Sequence, residues 1–274
     1  MKLRLGRLGL GKLGFALALQ GVVALGTATS ALAVDDTKVK LDDPLKTGMF
    51  AYHQKLILGD PDKITFDERV IVRAPVSAED SLNVPVTVDA TAIADVRRIV
   101  LFVDYGPIPK ILTYWPQRAQ PKLSFRFKID QATPVRAAVE TTSGAWHVGH
   151  TIIDAAGGGC TAPAVAYASD DWEEELGKVY ASVWPDRGRV RMVVDHPMDT
   201  GLAGDIPMFI IQKLQLDDLD GTKLAQIDLH EPVNEDPAFT LYFEKGALKD
   251  KLRIHGRDNN GNPIDAIASA QVTQ

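Results

Sequence analysis

From Lys122 to Ile129 the chain alternates without a fault: Leu123, Phe125, Phe127 and Ile129 interleave with Lys122, Ser124, Arg126 and Lys128. Successive side chains of a strand point to opposite faces, so the pattern fits a half-buried strand and not a helix. Val84, Val86 and Val88 repeat it, as do Val135, Ala137 and Val139. The turn signals Gly59-Asp60-Pro61-Asp62, Gly106-Pro107 and Ser143-Gly144 separate these runs. Short strands at this spacing, with no helix between them, predict an antiparallel β-sandwich over Ile64 to Ile153. The chain has one cysteine, which excludes a disulfide-pinned immunoglobulin domain.

One helix is expected ahead of the strands. Asp43 suits an N-cap and Pro44 the first helical position, Leu45, Met49, Tyr52 and Leu56 give an apolar stripe, and Gly59 can end the helix. Beyond the first sandwich, residues 161–175 read as a linker closed by the acidic run Asp170, Asp171, Glu173, Glu174 and Glu175, a solvated face. Alternation then resumes at Val179, Ala181 and Val183, at Val190, Met192 and Val194, at Ala225, Ile227 and Leu229, and at Phe239, Leu241 and Phe243. The turns Pro185-Asp186-Arg187-Gly188, Asp220-Gly221 and Asn259-Asn260-Gly261-Asn262-Pro263 divide these runs, so a second β-sandwich is expected over residues 176–274. The reading is an all-β chain with a first domain over residues 35–160.

The first 33 residues stand outside this pattern. Lys2, Arg4, Arg7 and Lys12 precede an apolar core from Phe15 to Leu25, and Ala31-Leu32-Ala33 gives a small-x-small cleavage site. No Arg-Arg pair precedes the core, and Gln20 interrupts a run already short for a bilayer span. A Sec-type signal over 1–33 and a periplasmic mature protein are expected. Losing four positive charges from a net of −6 leaves −10, which disfavours nucleic acid and anionic membrane as partners.

In an exported protein a lone cysteine has no internal disulfide partner, so Cys160 is either buried and inert or free for chemistry with another molecule. Gly157, Gly158 and Gly159 directly precede it, and a glycine triplet reads as a flexible arm carrying an exposed thiol. A copper site needs nearby His and Met ligands, whereas the next Met and His are Met192 and His196, across a linker and a strand. His147 and His150, three apart on a strand, face opposite ways and make no metal pair. No metal and no cofactor are expected. A nucleophile on a glycine tether is poorly preorganised for a protease or transferase, but it suits a carrier that delivers its sulfur to other proteins. Nothing next to Cys160 in sequence supplies positive charge, so no strongly activated thiol is expected. The segment His196-Pro197-Met198-Asp199-Thr200-Gly201 reads first as a structural corner, and His196 and Asp199 alternatively as residues of a domain interface.

Several segments resemble a known pair of families. Phe66-Asp67-Glu68-Arg69-Val70, Ala74 to Asp80, Val84-Pro85-Val86, Pro134 to Glu140, Trp146 and Gly158-Gly159-Cys160 are similar to SoxY. His196 to Gly201, Ile206-Pro207 and Asn234-Glu235-Asp236-Pro237-Ala238-Phe239 are similar to SoxZ. The chain thus resembles a SoxY–SoxZ fusion of the kind linked to quinoprotein dehydrogenases. The resemblance implies two immunoglobulin-like β-sandwich domains, the SoxZ-like one packed intramolecularly on the SoxY-like one. It also implies a non-enzymatic carrier with sulfur intermediates held on Cys160, and partners among periplasmic redox enzymes of a Sox-type or quinoprotein dehydrogenase system. An interaction module for such a dehydrogenase, with Cys160 incidental, is the alternative. Two features depart from the family pattern. The SoxY motif ends its chain as a free tail, whereas here Thr161-Ala162-Pro163 follows and anchors the arm at both ends. The fusion itself raises the effective concentration of one half for the other.

Overall fold

In the computed structural model residues 42–271 are described; the expected signal peptide lies outside them. The helix begins later than the Asp-Pro pair predicts. Helix α1 spans Met49–Leu58, starting after Gly48 and ending at Gly59, both in the left-handed region. Asp43 folds a turn instead: its carboxylate accepts the N–H of Leu45 at 3.1 Å and of Thr47 at 3.3 Å. With the start shifted, Phe50, His53 and Leu58 face inward, while Tyr52 and Leu56 of the expected stripe are 58% and 62% exposed.

Among the described residues fifteen strands follow. The N-terminal half supplies β1 (Ile64–Phe66), β2 (Ile71–Arg73), β3 (Val84–Asp89), β4 (Val96–Val103), β5 (Lys110–Trp115), β6 (Lys122–Phe127), β7 (Thr133–Thr141) and β8 (Trp146–Ile153). The C-terminal half supplies β9 (Val179–Trp184), β10 (Arg189–Val194), β11 (Ile211–Asp218), β12 (Lys223–Leu229), β13 (Ala238–Tyr242), β14 (Lys251–Asp258) and β15 (Pro263–Ser269). They form two sheets, each built from both halves. The larger runs β1-β8-β7-β4-β5-β12-β11-β14-β15 and the smaller β2-β3-β6-β13-β10-β9.

Two antiparallel seams join the halves. In the large sheet Gln226 to Leu229 of β12 pair with Trp115 to Leu112 of β5. In the small sheet Thr240 and Leu241 of β13 pair with Ser124 and Leu123 of β6. The alternating residues meet between the sheets: Val84, Val86, Leu123 and Phe125 share one buried cluster with Val190, Met192, Phe239 and Leu241. Each such side chain contributes roughly 1.5–3 kcal/mol when removed from water.

Strand β7 departs from the half-buried reading, since it is buried on both faces. Helix α1 covers its outer side, where Phe50 packs with Val100, Phe102, Ala138, Trp146 and Val148. Arg136 lies on that side and is fully buried. Its guanidinium donates to Asp104 at 2.6 and 2.7 Å and to Asp43 at 2.9 Å. A cation so deep is tolerable only when its donors are met.

Candidate functional site: the cysteine cradle

Cys160 follows the last residue of β8 by a short glycine loop, and its surroundings overturn the expectation of an exposed thiol. The residue is 4% exposed. Its Sγ faces the backbone carbonyl of Lys128 at 3.7 Å. It lines a cavity of about 10 Å³ with Val103, Tyr105, Pro107, Ile129 and Pro232, room for about one water.

The glycines explain how the loop enters so closely. A Cβ on Gly159 would stand 2.2 Å from the carbonyl oxygen of Ser81 and 2.6 Å from that of Ile129; one on Gly157 would stand 2.3 Å from that of Asp130. Gly157 and Gly158 have φ of 98° and 85°, a region that favours glycine. Gly159 N–H donates to Ile129 O at 3.1 Å, fixing the loop against the residues that follow β6.

The C-terminal half closes the other side. Thr200 Oγ1 donates to Cys160 O at 2.6 Å. Asp199 accepts the N–H of Ala164 at 3.1 Å and also the Tyr167 hydroxyl. Glu235 accepts the N–H groups of Val165 at 2.8 Å and Ala166 at 2.6 Å. The segment after the cysteine is thus held by two carboxylates of the C-terminal half. Trp172, in the single helical turn α2 (Trp172–Glu175), stacks edge-on against Phe209 and Tyr167.

His196 is buried, and among the described residues it makes no hydrogen bond, ion pair or ring contact with the thiol or the arm. Its Nδ1 accepts the N–H of Met198 at 3.0 Å, its ring packs 4.4 Å from Phe209, and its Nε2 is 3.6 Å from Asp258. Burial pulls its pKa down to about 4, against the pull of Asp258. Of the two residues picked from this segment, Asp199 meets the loop that follows Cys160, and His196 supports the turn behind it.

Charge around the sulfur also differs from the sequence reading. Strand alternation puts Lys128 on the solvent face, yet it is 3% exposed. Its Nζ donates to Met198 O at 2.7 Å. Burial lowers its pKa, opposed by Asp199, Glu235 and Cys160. Burial pushes the Cys160 thiol up to about 11, Asp130 adds to the rise, and Lys128 pulls the other way. In this closed geometry the sulfur is a protonated, covered thiol at neutral pH. Lys128 and Asp130 carried no signal in the sequence beyond the end of an alternating run; Glu235 stood inside the Asn234-Glu235-Asp236-Pro237 segment. Among the described residues no three His, Cys, Asp or Glu side chains assemble into a metal set.

Fold and site together define a double β-sandwich that seats a single thiol where its two halves meet. Residues 54–160 match the family model of the sulfur oxidation protein SoxY, ending on the cysteine itself, and residues 185–268 match that of the sulphur oxidation protein SoxZ. The chain thus carries a SoxY domain and a SoxZ domain fused in one polypeptide. Among solved structures it is similar to the sulfur carrier protein SoxY from Chlorobium limicola f thiosulfatophilum, at 20% identity over 39% of this chain and 96% of that one, with a TM-score of 0.35. It is also similar to a superoxide reductase (neelaredoxin) from Ignicoccus hospitalis, at 14% identity over 34% of this chain and 94% of that one, with a TM-score of 0.29. A putative superoxide reductase from Thermotoga maritima matches at 14% identity over 36% of this chain and 96% of that one, with a TM-score of 0.31. A comparison with curated proteins gives no significant match.

Proposed function

We propose that this chain is a periplasmic sulfur carrier, exported by the signal over 1–33, which holds a sulfur intermediate covalently on Cys160 and presents it to partner redox enzymes. The observation that carries the reading is the coincidence of the SoxY match with the lone cysteine at its final residue. Loading joins the Cys160 sulfur to a second sulfur; the S–S bond forms as two electrons pass to a partner redox enzyme and the protons to solvent. The closed loop gives the thiol a resting state, and left-handed Gly157 and Gly158 give the backbone a place to turn when it opens. Opening exchanges the contacts of Thr200, Asp199 and Glu235 for water. Among the described residues no side-chain base is hydrogen-bonded to the Cys160 sulfur, in keeping with a shuttle whose partners do the chemistry.

Intact mass of the protein isolated from the periplasm without reductant tests this. A reducible sulfur adduct mapped to Cys160 is the expected result; an unmodified chain whose folded thiol resists alkylation would sink it. Burial of the thiol favours a second reading, a non-catalytic module for a periplasmic quinoprotein dehydrogenase with Cys160 incidental. Cys160→Ser separates the two, since the carrier loses pathway activity and the module keeps it.

A further inference from the structure

Behind the cysteine seat lies a buried side chain whose hydrogen bond depends on its protonation state. His196 Nδ1 accepts the Met198 N–H at 3.0 Å, so the neutral ring carries its proton on Nε2. That Nε2 is buried without a hydrogen-bond partner among the described residues and stands 3.6 Å from Asp258 Oδ2. A second proton has only Nδ1 to go to. There it meets the Met198 N–H donor against donor, and the bond is lost. Met198 depends on such bonds: its φ of 50° lies in the left-handed region, which a long side chain occupies only when its surroundings hold it there.

The two residues after Met198 seat the arm of the thiol. Asp199 pairs through its backbone with Phe209 at 2.8 and 3.0 Å and accepts the Ala164 N–H at 3.1 Å. Thr200 Oγ1 donates to Cys160 O at 2.6 Å. The charged groups facing His196 are Asp258 at the end of β14, Lys128 beyond β6, and Asp236, whose carboxylate accepts the His196 backbone N–H at 3.0 Å. Asp258 attracts an imidazolium and Lys128 repels it, but neither replaces the acceptor that Met198 loses. Asp258 is itself tied by the N–H groups of Asn260 and Asn262 at 2.9 and 2.8 Å, so it is the ring that must move.

We propose that His196 is a proton-sensitive positioning residue for Cys160: neutral, it holds the turn from Met198 to Thr200 against the arm, and protonated, it lets that turn go and the thiol is presented. The inference rests on the carrier reading and adds mild acid as a regulator of the same site. Its direction follows from burial, which holds the seated ring at about 4, against 6.5 for a ring in water. The open form therefore takes up the proton first as pH falls, and the seat weakens by up to about tenfold per pH unit between those values.

The test follows the reaction of Cys160 in the mature chain with dithiodipyridine, a disulfide that stays reactive in acid. The thiolate attacks one sulfur, a mixed disulfide forms, and thiopyridone leaves with the electron pair and takes a proton from solvent. Each rate is divided by that of N-acetylcysteine at the same pH, which removes the pH dependence common to all thiols. The ratio is expected to rise roughly tenfold from about pH 6.5 to about pH 5 in the wild type, with native tryptophan fluorescence throughout. His196→Asn keeps an acceptor near the Nδ1 position and does not titrate, so its ratio should stay level whatever its starting value. The carboxylates of Asp199 and Glu235, which grip the segment after the cysteine, remain in that variant, so an equal rise there belongs to them and overturns the inference. A level ratio in the wild type, or a rise that comes only as the fluorescence changes, overturns it too. Each of these outcomes leaves the carrier reading intact. A folded wild type that resists the reagent at every pH, yet reacts fully in denaturant, would overturn the carrier reading and this inference with it.

Discussion

At the residue scale, the glycines before Cys160 serve close approach, and each has a different reason. At Gly159 an added methyl would collide with two backbone carbonyls that cannot yield as a side-chain tip would. Gly159→Ala is therefore expected to lose about 1–3 kcal/mol and to push the loop off its seat, so alkylation of Cys160 should quicken. Gly158→Ala meets nothing within 4 Å and suffers only its φ of 85°, a loss of about 1–2 kcal/mol. Paired thermal melts and iodoacetamide rates check both; a slower thiol in Gly159→Ala would contradict this account. Two histidines carry a pH dependence. Burial lowers His196 and His230 from 6.5 to about 4, so between these values the unfolded chain binds more protons than the folded one. Stability should then fall as pH drops from about 6.5 to about 4, with up to about 1.4 kcal/mol per pH unit from His196 and less from His230, whose partly exposed ring is screened by solvent. Melts across that range in the wild type and in His196→Gln measure it, with a shallower slope expected in the variant.

At the element scale, the piece that decides access to the sulfur is the segment from Thr161 to Ser169, held by Asp199 and Glu235. Charged acceptors on backbone N–H groups are worth about 1.5–3 kcal/mol each. Replacing Glu235 by Gln weakens two such bonds while keeping the shape, so Cys160 should become several-fold more reactive with a global stability loss of about 1–2 kcal/mol. Hydrogen exchange at Val165 and Ala166 reads the same event directly, and unchanged protection there would disprove the latch. Helix α1 teaches the converse lesson. Asp43-Pro44 carries an N-cap signature, but the Asp43 carboxylate stabilises more by facing the buried guanidinium of Arg136 than by capping. Arg136→Met would leave Asp43 and Asp104 unpaired, and a loss of roughly 3–5 kcal/mol is expected in denaturant melts.

At the scale of the whole molecule, both sheets run through both halves, so neither half can lose its structure without exposing the open edges of the other. A single unfolding transition is expected for Trp115, beside one seam, and Trp184, far from it, monitored separately by fluorescence in single-tryptophan variants. Proteolytic nicking near Asp170 and Asp171 should leave two fragments that co-elute on size exclusion, because the β5–β12 and β6–β13 seams and the common core persist. Separate elution would show that the covalent link, not the seams, holds the halves.

The sequence by itself determined the strands, their inward residues and the chemistry available. Period-two alternation reports one side of a pleat, and a lone cysteine behind glycines is visible without coordinates. It could not say which strands sit beside one another, because pairing is a property of distant segments. That is why the continuous sheets, the double burial of β7 beneath α1 and the position of Arg136 were invisible in it. The same limit applied to the thiol. A glycine run reads as freedom in one dimension, and only the tertiary structure revealed the carbonyls it was made to pass. Whether Cys160 is covered, and that the lysine closing the alternating run is buried, followed from how the two halves close on each other.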